Sequence, residues 1–238
     1  MVERFLDPVG EPILWFLVVI IFGIIAIYFI SKYRKMEKGS RSFILGIVFF
    51  TAFFMISRTI ETIRRYFGIG SYYDIIDSNF SITGLNLVLR LLFYVTLWAG
   101  IGILYFVFEK YVMIKRTKYL LTIFSIIAGV TSCAIYLTAM EYWIFLVNAT
   151  CFFIAGLFPI ALFAYCSYTA INKSQRIAWI VLIIGFIFLL LGVLGDTPEA
   201  FMVTENLPQI FVHYFTPLAQ AVGAIVMAYG LSTIYKAV

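Results

Sequence analysis

Charged residues are scarce in this chain of 238 residues. Asp, Glu, Lys and Arg make up 12% of it, whereas hydrophobic residues make up 63%. Soluble domains have about 25% charged and about 45–50% apolar residues. A water-soluble fold of this length has too little interior to bury so much apolar surface, so the composition predicts an integral membrane protein. The expected location is the cell membrane, which the chain crosses several times in contact with membrane lipid.

Histidine is almost absent, and this excludes several enzyme classes. His213 is the one histidine of the sequence, whereas a histidine zinc site, an H-E-x-x-H helix and bis-histidine haem ligation each need more than one. Cys133, Cys151 and Cys166 all lie in apolar segments, where they cannot link an extracellular loop. Neither G-x-x-x-x-G-K-[ST] nor G-x-G-x-x-G occurs. We therefore expect no enzyme, no cofactor and no metal site.

Long apolar runs, by contrast, are plentiful. A hydrocarbon core about 30 Å thick needs about 20 helical residues to cross it. The segments that satisfy this requirement are 12–32, 43–66, 84–108, 118–138, 142–171, 176–196 and 209–235. We predict an all-α fold, a polytopic bundle of seven transmembrane helices, that forms a single domain over residues 1–238. Pro159 and Pro217 are expected to kink the fifth and seventh helices.

The basic residues predict how this bundle is oriented. One side of the membrane receives most of them: Lys32, Arg34, Lys35, Lys38, Arg41, Lys110, Lys115, Arg116, Lys118, Lys173, Arg176 and Lys236. The other side receives Arg4, Arg58, Arg64, Arg65 and Arg90, together with most of the carboxylates. Because cytoplasmic loops carry an excess of Lys and Arg, the N-terminus is predicted outside and the C-terminus in the cytoplasm. The net charge of +5 belongs to these short loops, so no nucleic-acid partner is expected.

The second predicted helix ends in an unusually charged stretch, residues 56–66. Arg58 lies about 22 Å along this helix from the cytoplasmic boundary, within the outer leaflet, and Arg90 lies at a similar depth on the third helix. A charge at mid-bilayer costs about 2.5–3.5 kcal/mol, and less near the interface. Glu61 shares a helix face with Arg58 and is a candidate partner. Arg64 and Arg65 are predicted to lie at or beyond the outer interface, where they need no special partner.

Polar residues from the second, third, fifth, sixth and seventh helices all fall in the predicted outer half of the bundle, whereas the inner half has few. This asymmetry favours a polar pocket that opens outward. Arginine suits such a pocket because its planar guanidinium can hold a carboxylate or phosphate through two hydrogen bonds. The candidate ligand-binding residues are Arg58, Glu61, Arg90, Tyr94, Glu141, Asn148, Asp196, His213 and Gln220.

Two interpretations of these residues remain open. In the structural one, Arg58 pairs with Glu61, and Arg90 pairs with Asp196 or Glu141, so that ion pairs lock the helices together. In the functional one, the arginines bind an anionic or polar small ligand, since ionisable residues inside a membrane often mark a functional site. We expect a receptor-like or sensor-like protein. It would signal, if at all, through a separate cytoplasmic or membrane partner protein, because the chain ends just past its seventh helix.

Other functions and architectures compete with this expectation. The alternatives are a small transporter or channel subunit, and a structural membrane subunit with no ligand. The topology is similar to that of rhodopsins, of G-protein-coupled receptors and of prokaryotic seven-helix sensor modules. However, the last helix has no lysine before Lys236 for retinal attachment, and it lacks the receptors' Asn-Pro-x-x-Tyr signature. Architecture alone does not define a function.

Overall fold

The computed structural model describes residues 10–34, 38–67, 84–113, 117–138, 141–195 and 209–237. These residues form the helices α1 (Gly10–Tyr33), α2 (Lys38–Phe67), α3 (Gly84–Tyr111), α4 (Leu120–Thr138), α5 (Glu141–Thr169), α6 (Lys173–Gly195) and α7 (Gln209–Ala237). Each predicted span corresponds to one helix, and the largest difference is at α2, which begins at Lys38 rather than at residue 43. No strand occurs in the described ranges. The predicted all-α fold is confirmed.

The helices have the length and surface of membrane spans. Within the described residues, all but α4 contain an apolar segment long enough to cross a membrane, and α4 contributes the shorter segment Leu120–Ile135. On α1, Ile20, Ile24 and Ile27 are each more than half exposed. Such a continuous apolar face is unfavourable in water and favourable against lipid tails. The chain is therefore a multi-pass membrane protein built as a seven-helix bundle.

The fourth helix begins two residues later than predicted, and the backbone explains why. Lys118 and Tyr119 have φ angles of 50° and 62°, so neither can belong to a right-handed helix. For residues other than glycine this conformation costs about 1–2 kcal/mol each, because Cβ approaches the following carbonyl oxygen. The Tyr119 ring stacks on Phe106 with centroids 5.7 Å apart, and this contact helps to stabilise the turn. Helix α4 then starts at Leu120.

The chain divides into two compact units, and the first ends at Asn148. In this unit α1, α2, α3 and α4 pack as successive antiparallel neighbours. The side-chain pairs that show this are Phe22 with Phe54, Arg41 with Tyr33, Phe43 with Phe108, Arg58 with Phe93, and Trp98 with Ser132. Antiparallel packing brings the end of α2 next to the beginning of α3. The prediction of a single domain stays a prediction.

The second unit begins at Ala149 and contains the rest of α5 with α6 and α7. Helices α6 and α7 approach so closely that a Cβ atom at Gly223 would lie 2.5 Å from the backbone nitrogen of Leu189. A Cβ atom at Gly185 would lie 2.7 Å from the backbone nitrogen of Met227. Small residues permit this backbone contact, which lipid by itself does not drive. Helix α5 continues through Pro159 and α7 through Pro217.

Candidate functional site

Four charged side chains meet where α2 ends and α3 begins. Arg58, Glu61 and Arg64 follow one another at intervals of three along α2, so they lie on one side of that helix. Arg90 stands in the second turn of α3, which runs antiparallel to α2. Each of the four residues is at most 3% exposed. We call these four residues the arginine–glutamate cluster.

Glu61 is the centre of the cluster. Arg64 binds it with two hydrogen bonds, from Nε to Oε2 at 2.9 Å and from Nη2 to Oε1 at 2.8 Å. Arg90 reaches across from α3 and donates from Nη1 to the same Oε1 at 2.8 Å. Such short, charge-assisted bonds are stronger than those between neutral groups. One carboxylate thus joins the end of α2 to the start of α3.

Aromatic rings surround the guanidinium groups. The Cζ atom of Arg58 lies 5.1 Å from the ring centroid of Phe54, 5.3 Å from Phe93 and 5.8 Å from Trp15. These distances are typical of cation–π contacts, which strengthen when the cation is removed from water. Trp15 belongs to α1, so three helices contribute to the surroundings of Arg58. Arg90 in turn lies over Phe93 and Tyr94, with its Cζ 5.4 Å and 5.2 Å from the two centroids.

Tyr94 links the cluster to the first turns of α5. The Asn148 Nδ2 lies 3.5 Å from the Tyr94 hydroxyl, a long and weak hydrogen bond. Both residues are at most 1% exposed. The amide oxygen of Asn148 has no hydrogen-bond partner among the residues that the structure describes. A small polar molecule with a hydrogen to donate would satisfy that oxygen, and leaving it unsatisfied costs about 1–3 kcal/mol.

Gln220 belongs to the second unit. Its Nε2 donates to the backbone oxygen of Gly192 at 2.8 Å, which ties α7 to α6. The neighbouring Thr216 is 3% exposed, and its hydroxyl oxygen, like the Gln220 Oε1, makes no hydrogen bond within the described residues. Gln220 therefore has a helix-to-helix contact that accounts for its burial.

The structure thus brings together Arg58, Glu61, Arg90, Tyr94 and Asn148 of the predicted site. Glu141 is the first residue of α5, but its side chain lies outside the described residues. Asp196 lies outside them entirely, and the His213 side chain does too, although the α7 backbone includes that residue. The expected pairing of Arg90 with Asp196 or Glu141 falls on these undescribed side chains; the carboxylate seen with Arg90 is Glu61. Ligand binding by the predicted residues stays a prediction.

The expectation that Arg64 needs no special partner was wrong. Its side chain is buried and forms two of the hydrogen bonds that hold Glu61, whereas its depth relative to the outer interface stays a prediction. The position of Arg64 three residues after Glu61 was a signal for this pair. The pair was missed because the position of Arg64 was judged only from its depth in the membrane along one helix. A neighbouring helix can bury a side chain at any depth.

Sequence reasoning also missed two buried carboxylates. Glu11, in the first turn of α1, is 8% exposed and stands four residues before Trp15, on the same helix face. Glu109, near the end of α3 and one residue beyond the predicted third span, is fully buried. Its oxygens accept hydrogen bonds from the backbone nitrogens of Leu121 and Thr122, at 3.0 Å each, and from the Thr122 hydroxyl at 2.5 Å. Glu109 therefore caps the beginning of α4, where a negative charge is favourable.

No group of three or more His, Cys, Asp and Glu side chains that could hold a metal ion occurs within the described ranges. The chain was also compared with known proteins. No family model, curated protein or solved structure matches it. The membrane bundle and its arginine–glutamate cluster are therefore the basis for any assignment of function.

Proposed function

We propose that the chain is a receptor-like or sensor-like membrane protein whose arginine–glutamate cluster recognises an anionic small molecule. The observation that carries this proposal is a group of buried charges: Arg64 and Arg90 bind the buried Glu61, and the buried Arg58 lies over the Phe93 ring that Arg90 also contacts. Glu11 is a further buried carboxylate of the described residues at this end of the first unit. An anionic group of a ligand would meet several guanidinium groups here, each of which can donate to a carboxylate or phosphate.

Glu61 supports the proposal because it is held as a ligand carboxylate would be held. Arg64 binds it through two parallel hydrogen bonds and Arg90 through a third. A carboxylate or phosphate of a ligand has the same acceptor geometry and can replace Glu61 on these donors. Glu61 then acts as the internal counterion of the ligand-free state.

Such an exchange would couple binding to helix movement. Glu61 belongs to α2 and Arg90 to α3, so a ligand that displaces Glu61 breaks the ion pair that joins these helices. The helix ends would separate or shift, and a separate partner protein would detect the change. A ligand moves such an equilibrium only by its difference in affinity for the two arrangements. The displaced Glu61 is the source of that difference here.

A structural role without a ligand is the second candidate, and burial favours it. Arg58, Glu61, Arg64 and Arg90 are nearly inaccessible, and the ion pair between Arg90 and Glu61 holds α2 against α3. Breaking a buried ion pair by removing one partner costs about 3–5 kcal/mol, because the remaining charge stays buried. The cluster would then serve to fix helix packing.

The Glu61→Gln variant separates these roles. Its thermal unfolding midpoint should be followed against increasing acetate or inorganic phosphate, at constant ionic strength with chloride as the replaced anion. The proposal predicts that the midpoint of the variant rises saturably with the anion concentration, and by more than the midpoint of the wild type. The reason is that the Glu61 carboxylate no longer competes for the arginines. A ligand at 100 times its dissociation constant stabilises by about 2.7 kcal/mol.

Glu109→Gln is the matched control, since it also neutralises a buried carboxylate, at the far end of α3. Its midpoint should respond to acetate and phosphate no more than the wild type does. If Glu61→Gln is destabilised and responds no more than Glu109→Gln, anions do not enter the cluster. The structural role would then stand and the receptor proposal would fail.

A further inference from the structure

The second unit has a groove where α5 ends and α6 begins. Ala164, Ser167, Tyr168, Arg176 and Ile183 line it, and its volume is about 430 Å³. The Ser167 hydroxyl lies 3.5 Å from the backbone oxygen of Arg176, so the polar residues of the two helices meet at one edge. The groove is thus bounded on both sides by helices of the same unit.

Polar and apolar groups are segregated along this groove. Ser167 and Arg176 lie close to the end of α5 and the start of α6, respectively. Ile183 is seven residues further along α6, or about 10 Å deeper at 1.5 Å per residue. Ala164 is likewise displaced inward along α5. The groove therefore has a polar mouth at the helix ends and an apolar interior along the helices.

The mouth is positively charged, and the described residues of its own unit include no Asp or Glu. Lys173 and Arg176 are both exposed, at the start of α6, where the helix dipole disfavours cations. The sequence has no Asp or Glu from residue 142 to residue 195 or from 209 to 237. The acidic residues of the second unit, Asp196, Glu199 and Glu205, follow the other end of α6 in the sequence. Arg176 is separated from that end by about 28 Å of helix.

Exposed aromatic and aliphatic residues place this edge at a membrane surface. Tyr168 is 85% exposed and Ile171 is 95% exposed. Tyrosine is enriched where lipid headgroups meet the hydrocarbon core, because its ring is apolar and its hydroxyl is polar. The polar mouth of the groove would therefore lie at headgroup level, with the apolar interior among the lipid tails.

We propose that this groove binds a phospholipid with an anionic headgroup. The lipid phosphate accepts hydrogen bonds from the Arg176 guanidinium beside the Ser167 hydroxyl, which donates to the Arg176 backbone oxygen, and an acyl chain packs along Ala164 and Ile183. Basic pockets between membrane helices favour anionic headgroups in this way. Charge complementarity selects the headgroup, and the apolar interior distinguishes a lipid from a free phosphate. None of the residues that line this groove belongs to the arginine–glutamate cluster.

The test uses the full chain in nanodiscs that contain phosphatidylcholine and phosphatidylglycerol with identical acyl chains. Lipid that stays bound after extraction into detergent is identified by native mass spectrometry. The wild type should retain phosphatidylglycerol in preference to phosphatidylcholine, and Arg176→Gln should reduce that preference about five-fold, as expected for one surface cation. Arg176→Lys keeps the charge and should retain most of the preference. It also shows that the position tolerates substitution.

Arg34→Gln is the matched control, because Arg34 is an exposed arginine that follows α1 in the first unit. It should leave the preference unchanged. Equal losses in Arg34→Gln and Arg176→Gln would mean general surface electrostatics and would overturn the proposal. Displacement of the bound lipid by millimolar glycerol phosphate, which has no acyl chain, would also overturn it. An unchanged lipid preference in Arg176→Gln would do the same.

Discussion

The close contact between α6 and α7 predicts that a larger side chain at Gly223 lowers the stability of the protein. In Gly223→Ala, the added Cβ would lie 2.5 Å from the Leu189 nitrogen, 2.7 Å from the Gly185 oxygen and 3.0 Å from the Leu189 Cα. All three neighbours are backbone atoms, so a side-chain rotation cannot relieve the overlap. The helices must separate, and overpacking of this kind costs about 1–3 kcal/mol. Alanine regains about 0.8–1.0 kcal/mol over glycine through its helix propensity, so the variant should be less stable by up to about 2 kcal/mol.

Gly23→Ala on α1 is the matched control for this substitution. The nearest atom to its added Cβ is the Met55 sulfur at 3.3 Å, which belongs to a flexible side chain. The gain in helix propensity should therefore dominate, and the variant should be as stable as the wild type or more stable. Reversible unfolding in mixed micelles of increasing sodium dodecyl sulfate measures both changes. A Gly223→Ala variant as stable as Gly23→Ala would refute the backbone contact.

Two further predictions concern single polar groups. Glu109→Gln should lower the free energy of unfolding by about 1.5–3 kcal/mol, because a charged acceptor of two backbone N–H groups is lost. Detergent unfolding measures it, and an unchanged midpoint would contradict the capping role. Thr216→Val should be neutral or stabilising, because this buried hydroxyl makes no hydrogen bond within the described residues. Thr51→Val, which removes hydrogen bonds to the Ile47 and Val48 oxygens, should cost about 0.5–1.5 kcal/mol in the same assay. A Thr216→Val variant that loses as much as Thr51→Val would show that the Thr216 hydroxyl has a partner.

The fold could be predicted from the sequence because a membrane span depends mainly on the length of its apolar run. A run of about 20 apolar residues is sufficient to cross the hydrocarbon core, and charged residues near its ends mark where it stops. Helix α4 shows the limit of this reasoning. Its first turn begins at Leu120 because Lys118 and Tyr119 are left-handed, and hydropathy carries no information about φ.

The candidate site followed only in part. The positions of Arg58, Glu61 and Arg90 in the apolar runs predicted that these residues lie within membrane helices, and the structure buries all three side chains. The residues that these side chains contact could not be predicted from the sequence, because hydropathy does not show which helices are neighbours. The burial of the Arg64 side chain was missed for that reason. The contact of Gln220 with the Gly192 oxygen likewise requires knowing that α6 packs on α7.

The buried carboxylates explain how apolar helices obtain a defined register. Helix α3 is attached to α2 at its beginning, through Arg90 and Glu61, and to α4 near its end, through Glu109. Apolar contacts between helices tolerate sliding better than hydrogen bonds do, since a slide of one turn, about 5.4 Å, would break both attachments. Each broken attachment would leave a charge buried in a low-dielectric interior, which is strongly unfavourable. A ligand that displaces Glu61 would release α3 from α2 while Glu109 still holds it to α4. The movement that such a ligand produces should therefore appear between α2 and α3, and α3 and α4 should move together.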